Sequence, residues 1–265
     1  QGKIRAKPEK FADHYTQAAL FYNSQTPVEQ EHIAAAYRFE LSKVTVQAIR
    51  ERTVAMLRNA SESLAHKVAD GLGMSPLPAP LPRALAKPAK PEVTVSPTLS
   101  LMARPGDGSI KARKVALLIA PGAAASITEV YQALRDKDAV PKYVGPRVGP
   151  IDLADGKSVL AEASLENEPG FLFDALVLPD GEKAVAALAR DAHTMEFIRD
   201  QYRHCKSILV LGASKTLLEK AGLAEAQDAG LIKAPGGPAA GAIEAFVQAL
   251  VKLRHFERET DPPKV

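Results

Sequence analysis

Cys205 is the only thiol in the sequence, which excludes an internal disulfide framework and any multi-thiolate metal site. No run of 18 or more apolar residues occurs, and no charged-then-apolar start resembles a signal peptide. The chain therefore reads as soluble, without a membrane-spanning helix or an export signal, and suits a reducing, cytoplasmic compartment. The first residues, Gln1-Gly2-Lys3, include no initiator methionine, so a start inside a longer reading frame is expected. A net charge of +3 is too small to point to nucleic acid. The six histidines, His14, His32, His66, His193, His204 and His255, form no i, i+4 pair and have no cysteine partner. A metal site needs convergent ligands, and no such spacing is visible.

What is there is an ordinary globular composition, 46% apolar and 25% charged over 265 residues. That length suits one large or two medium domains. Charge is divided unevenly. Residues 1–113 carry 16 basic against 10 acidic residues, and residues 114–265 carry 18 against 21. Opposite signs in the two parts fit two separately built units better than one basic binding face.

The first part reads as helices. Phe11, Tyr15, Ala18, Ala19 and Tyr22 share one helical face. Thr26-Pro27-Val28-Glu29 has the pattern of a capping box with proline at the first helical position. The helix it starts places Ile33, Ala36, Tyr37, Leu41 and Val44 on one side. A third segment covers about 46–57. A fourth starts at Ser61 and stops near Asp70, where Gly71 and Gly73 can adopt the left-handed C-cap conformation. Residues 75–105 then hold eight of the 20 prolines. Proline removes amide donors and favours extended backbone, which predicts a linker suited to lying as a strap over a neighbouring surface, with free disorder as the alternative.

From Lys114 the pattern alternates between short apolar runs and helical stretches. Val115–Ala120 reads as a strand buried on both faces, followed by a Pro121-Gly122 turn and a helix over 127–134. Further strands are expected at 140–144, 175–178, 207–211 and 231–233. Helices are expected at 182–189, 194–204, 215–221 and 239–254, and Asp155-Gly156 marks a hairpin. This order predicts a doubly wound α/β sandwich. The expected division is a helical domain at 1–74, a proline-rich linker at 75–113 and an α/β domain at 114–265.

In such a sheet the strand-to-helix turns carry the chemistry. Leu211-Gly212-Ala213-Ser214-Lys215 is where an enzyme would place a nucleophile on a strained elbow. Ser214 is the hydroxyl there, and it stands at the N-cap position, so the expected role is a cap. Cys205 precedes its strand, on the other side of the sheet. His204 and Lys206 flank it in sequence without facing it, so no Cys–His pair is expected. Gly71-Leu72-Gly73 follows a helix and not a strand, which argues against dinucleotide binding. Pro235-Gly236-Gly237-Pro238 lacks the amide donors a phosphate needs and reads as a turn. Asp136/Asp138 and Glu166/Glu168 read as solvated surface.

The segment from Phe11 to Tyr22 (FADHYTQAALFY), with Thr26–Ile33, Phe39–Val44, Ile49–Arg52, Leu64-Ala65 and Val68–Gly73, resembles the helical domain that follows the haem barrel of catalases. Large-subunit catalases add a linker and a flavodoxin-like domain similar to class I glutamine amidotransferases and PfpI-type proteases, and residues 114–255 have that pattern. The resemblance implies a parent enzyme that disproportionates hydrogen peroxide at a haem, as a homotetramer. This chain would pack against the barrel domain and other subunits, add stability, and form part of the channel to the haem. It also implies a chaperone-like role toward unfolded clients, with no nucleic-acid or membrane partner. The family's haem-binding histidine, asparagine and tyrosine motifs belong upstream of Gln1, so no haem site is expected here. Amidotransferase-like relatives keep a cysteine at the elbow and a histidine after a later strand. Gly212 and the region of Ala234 stand at those places, so no catalytic residue is expected. The alternative readings are a stand-alone PfpI-like hydrolase using Cys205 or Ser214, and a free-standing stress chaperone.

Overall fold

The computed structural model describes residues 2–85, 90–104, 106–238 and 240–265. The linker reading at 86–89 and 105, the first residue, and the expected helix start at Ala239 lie outside the described residues. The chain divides into two compact units, 1–105 and 106–265.

The first unit holds helices α1 (Thr16–Asn23), α2 (Pro27–Ser42), α3 (Gln47–Leu57) and α4 (Glu62–Gly71). The face expected from Phe11 is interrupted. A 3-10 turn at Glu9–Ala12 comes first, and Asp13 then accepts the Thr16 amide at 3.2 Å and its hydroxyl at 2.8 Å. A carboxylate satisfying a free amide starts the helix there, and Phe11 is left outside it. The capping box forms as expected, with Glu29 Oε2 accepting the Thr26 amide at 2.8 Å. Ile33, Tyr37, Leu41 and Val44 pack inward from it, but Ala34 is buried in place of Ala36. Its partners in this core are Tyr22, Val54, Leu57, Leu64, Ala65, Val68 and Ala69. Gly73 alone takes the left-handed C-cap role (φ +66°), with Met74 N–H donating to Ala69 O at 2.9 Å. Gly71 remains helical, and a side chain there would overlap the Arg38 aliphatic chain that crosses it.

The described part of the proline-rich segment lies back on these helices. Arg58 donates to Pro78 O at 2.7 Å, Asn59 to Leu81 O at 2.8 Å, and Leu81 N–H to Ala55 O at 3.2 Å. Farther along, Ser96 N–H reaches Ser24 Oγ, and Glu29 accepts from Ser100 Oγ and the Leu101 amide at 2.8 and 2.9 Å. Prolines leave their carbonyls free to accept, as Pro78 does from Arg58, and the other residues of the segment supply donors of their own to the helices.

The second unit is an α/β sandwich. Strands β1 (Lys114–Leu118), β2 (Val140–Gly145), β5 (Ala163–Ser164), β6 (Ala175–Leu178), β7 (Ser207–Leu211) and β8 (Leu231–Ala234) form one parallel sheet in the order β5-β2-β1-β6-β7-β8. Apart from the two-residue edge β5, this is the flavodoxin-like order 2-1-3-4-5. The hairpin signal at Asp155-Gly156 joins β3 (Gly149–Asp152) to antiparallel β4 (Ser158–Ala161). Helix α5 (Ser126–Arg135) packs with α9 (Ala240–Val251). Helix α8 (Lys215–Lys220) packs with both α6 (Glu182–Leu188) and α7 (Ala192–Arg203). Two helical layers account for the continuous apolar runs: β6 and β7 are buried along their whole length, each large side chain contributing about 1.5–3 kcal/mol.

Candidate functional site

Parallel strands end at one edge, and the topological switch point lies between β1 and β6. The two turns there are tied together, because the Ala124 amide donates to Asp180 O at 2.9 Å. The Asp180 side chain reaches the next turn as well. Its Oδ1 accepts from its neighbour Gly181 N–H at 2.7 Å and from Ala213 N–H, after β7, at 2.9 Å. Gly212 has φ +43°, and a Cβ there would overlap all three atoms of the Asp180 carboxyl group. At a nucleophile elbow, the amide after the nucleophile helps to hold the developing oxyanion. Here that amide is already bonded to a carboxylate, and the nucleophile position has no side chain.

Ser214 stands at the N-cap of α8, yet its side chain caps nothing. This corrects the expected role. The residue has helical backbone angles and ends a 3-10 turn, which directs its buried hydroxyl inward, where it donates to Pro179 O. The hydroxyl is thereby engaged by the turn that follows β6.

Cys205 lies at the opposite end of β7, before its first residue, about 16 Å away by strand rise. It is buried, in left-handed backbone conformation (φ +58°). Burial pushes its thiol up to about 11, with Glu259 acting in the same sense. His204 beside it is shifted down, chiefly by burial. The structure does not bring Cys205 and Ser214 together.

A polar network missed in the sequence surrounds the start of β7. Arg258 donates to both Asp228 oxygens at 3.0 and 2.7 Å and to Lys206 O at 2.5 Å, with its guanidinium over the Tyr202 ring. His255 Nε2 meets Ser207 Oγ at 3.0 Å, and Glu257 lies 3.8 Å from its Nδ1. Lys206 donates to Phe171 O and Phe173 O at 2.9 and 2.5 Å, and burial brings its ammonium down to about 8. Burial alone would raise Asp228; the Arg258 hydrogen bonds and charge outweigh it and leave the carboxyl below its ordinary range. Asp228, His255 and Glu257 are close enough together to hold a metal ion, but the Arg258 guanidinium already engages both Asp228 oxygens. The cluster's structural work is visible at Gly230, where a side chain would overlap His255 and Arg258. Among the carboxylates expected at the surface, Glu168 pairs with Lys142, and Asp136 accepts from Gln132 at 2.7 Å.

A haem pocket needs an axial ligand facing an enclosed apolar slot. Tyr22 lies in the helical core, Tyr37 packs against it, and Tyr202 lies in the α/β core. Tyr131 and Tyr143 stack on each other at 4.6 Å beside an open depression of about 390 Å3 that Gln132 and Glu162 also line. Tyr15 lines a depression of about 260 Å3 with Asn23, Asn59 and Arg83.

Two family models match the chain: "catalase-related immune-responsive" over residues 8–72, and "C-terminal domain found in long catalases" over residues 111–260. Among curated relatives, the chain is 40% identical over 258 residues to "Catalase C" of Rhizobium meliloti (strain 1021), covering 97% of this chain and 36% of the relative. It is 40% identical over 260 residues to "Catalase HPII" of Pseudomonas putida, covering 97% and 35%. It is 30% identical over 258 residues to "Catalase-2" of Bacillus subtilis (strain 168), covering 97% and 36%. The chain thus spans about a third of the length of the relatives it matches.

Proposed function

The chain belongs to the long, large-subunit catalase family, and we propose that it serves its parent enzyme as a packing and stabilising module without a catalytic centre of its own. The parent reaction would be the haem-dependent disproportionation of hydrogen peroxide to water and oxygen, as the relatives' catalase names imply. In this reading residues 1–74 form the helical domain that rests on the haem barrel, 75–113 the linker, and 114–265 the added α/β domain. Other subunits of a homotetramer cover the exposed apolar residues, and part of the chain borders the passage to the haem.

The observation that carries the reading is the closed elbow. An α/β hydrolase of this topology needs a nucleophile at Gly212 and a free amide at Ala213, and the Asp180 carboxylate fills the place of the first and accepts the hydrogen bond of the second. Cys205 is buried, and the buried Ser214 hydroxyl is bonded to Pro179 O. The helical unit supports the packing half of the reading, since Phe11, Phe39 and Leu101 are 67%, 64% and 76% exposed. Large apolar side chains in such number call for a covering surface. Among the described residues no helix is long and apolar enough to cross a membrane. The lone buried thiol fits a reducing compartment, and the cytoplasm is the location proposed.

Produced alone and supplied with haem, the chain is expected to show no Soret band and to release no oxygen from peroxide. Either signal overturns the reading. The same exposed apolar residues support a second role, the holding of unfolded clients. Suppression of client aggregation at stoichiometric amounts without ATP, followed by light scattering, tests it. A hydrolase would instead reveal itself by turnover that Cys205→Ser or Ser214→Ala abolishes.

A further inference from the structure

We propose that the depression between α5, β2 and β4 binds a guanidinium group, presented by an arginine side chain of a partner protein. The depression measures about 390 Å3. Thr128, Tyr131 and Gln132 enter it from α5, Tyr143 from β2, and Leu160 from β4, with Glu162 just beyond that strand. The one charge among the lining residues is the exposed Glu162 carboxylate. Among the described residues no lysine or arginine pairs with it. Its backbone is fixed, since Glu162 N–H donates to Tyr143 O at 3.1 Å. Burial raises the Tyr143 hydroxyl above the ordinary phenol range, and Tyr131 and Glu162 push it the same way. Such surroundings oppose a further negative charge and welcome a cation.

The hydrogen-bonding inventory narrows the kind of cation. Thr128 Oγ1 donates to Ala125 O at 2.7 Å, and Gln132 Nε2 donates to Asp136 Oδ1 at 2.7 Å. Both groups keep oxygen lone pairs to offer, and Glu162 adds two acceptor oxygens. The matching ligand carries several donors and no acceptor. Guanidinium has five N–H donors in one plane and is weakly hydrated, so it can lie against a ring while pairing with a carboxylate. Tyr131 and Tyr143, stacked at 4.6 Å with 15° between their planes, supply the aromatic surface. An ammonium is held more firmly by water and gains less from so open a place. Leu160 lines the same depression and is 60% exposed. It offers apolar cover to the arginine stem and to the residues beside it, which a partner's surface brings and a small free solute lacks.

The full chain has six tyrosines, so isotope-labelled tyrosine rings give a simple NMR spectrum, in which Tyr131→Phe and Tyr143→Phe assign the two rings of interest. A capped Ala-Arg-Ala peptide is titrated beside its lysine and citrulline counterparts, citrulline being the uncharged isostere of arginine. The arginine peptide is expected to shift both rings saturably and to bind about tenfold more tightly than the citrulline peptide. The lysine peptide and free ethylguanidinium are each expected to bind more weakly than the arginine peptide. No shift, or citrulline binding as well as arginine, overturns the proposal. Lysine matching arginine removes the guanidinium from it, and ethylguanidinium matching the peptide removes the partner protein; either result also overturns it. Glu162→Gln alters an exposed side chain and is expected to keep the fold, while weakening the arginine peptide about threefold and flattening its salt dependence. Unchanged affinity in that variant contradicts the assignment. Tyr131→Leu keeps apolar bulk against the core that Tyr131 packs on, and is expected to abolish the saturable shift of Tyr143. A folded leucine variant that still binds overturns the proposal; should it unfold, the glutamine variant decides. The titration reads one depression of the α/β unit, so its failure leaves the packing role untouched, and loss of the packing role leaves it untouched.

Discussion

The Asp180 carboxyl group occupies the space that a side chain on Gly212 would require, while its Oδ1 accepts a hydrogen bond from the Ala213 amide at 2.9 Å. Gly212→Ala must therefore both strain a left-handed backbone position and displace a bonded carboxylate. A loss of about 2–4 kcal/mol from the α/β unit is expected in urea unfolding. Gly236→Ala is the control, since nothing lies within 4 Å of the added carbon. It should stay within about 0.5 kcal/mol. Equal effects of the two substitutions would remove the argument for a filled elbow.

Glu29 joins the start of α2 to the strap by accepting from the Thr26 amide, Ser100 Oγ and the Leu101 amide. Burial opposes the charge, yet these donors outweigh it and hold the carboxyl at about 2, against an ordinary 4.5. A folded-state value below the unfolded one means stability that is complete above about pH 4.5 and is lost as pH falls toward 2. Glu29→Gln should cost the helical unit about 1 kcal/mol at pH 7. The difference from the unaltered chain should shrink through that acid window. A gap that stays constant from pH 5 to pH 2.5 contradicts the assignment.

Lys206 has the opposite linkage. Its ammonium is brought from 10.5 to about 8 by burial, so between those values the unfolded chain binds more protons than the folded one. Stability should rise with pH there, by on the order of 1 kcal/mol relative to Lys206→Met by pH 9.5. Paired denaturation curves at pH 7, 8.5 and 9.5 measure it. Parallel pH profiles for the two proteins would show that the amine does not titrate in this window.

Much of this architecture is legible in the residues because the information is local. Val115–Ala120 is apolar throughout, and only a strand covered on both faces uses such a run in a chain this polar. Thr26, Pro27 and Glu29 meet within a single turn, so their capping box can be read without the fold. β5 has two residues and no apolar run of its own; it exists because β2 offers an edge. Asp180 reads as a turn aspartate between Pro179 and Gly181, since the partner that gives it another role lies 33 positions on. Ser214 reads as a cap and does stand at a helix start, but its hydroxyl donates to Pro179 O, 35 positions back, a partner that no local pattern reveals. The Asp228–Arg258 pair spans 30 residues and leaves a single trace in the sequence, the glycine at 230 that makes room for it.

That pair is nearly sealed from solvent, with side-chain exposures of 6% for Asp228 and 1% for Arg258. Removing one partner leaves an uncompensated charge in low dielectric, the costly way to break an ion pair. Arg258→Ala should lower the stability of the α/β unit by about 3–5 kcal/mol, and it also strips the stacking on Tyr202 and the donor to Lys206 O. The double substitution Asp228→Asn with Arg258→Met removes both charges. It should recover a substantial part of the loss, because the apolar chain still fills the space against Gly230 and Tyr202. Chemical denaturation of the unaltered chain, Asp228→Asn, Arg258→Met and the double variant gives the coupling directly. Additive losses would mean that the two side chains stabilise the unit independently, and that the short guanidinium–carboxylate contact contributes little to holding residues 255–258 onto β7.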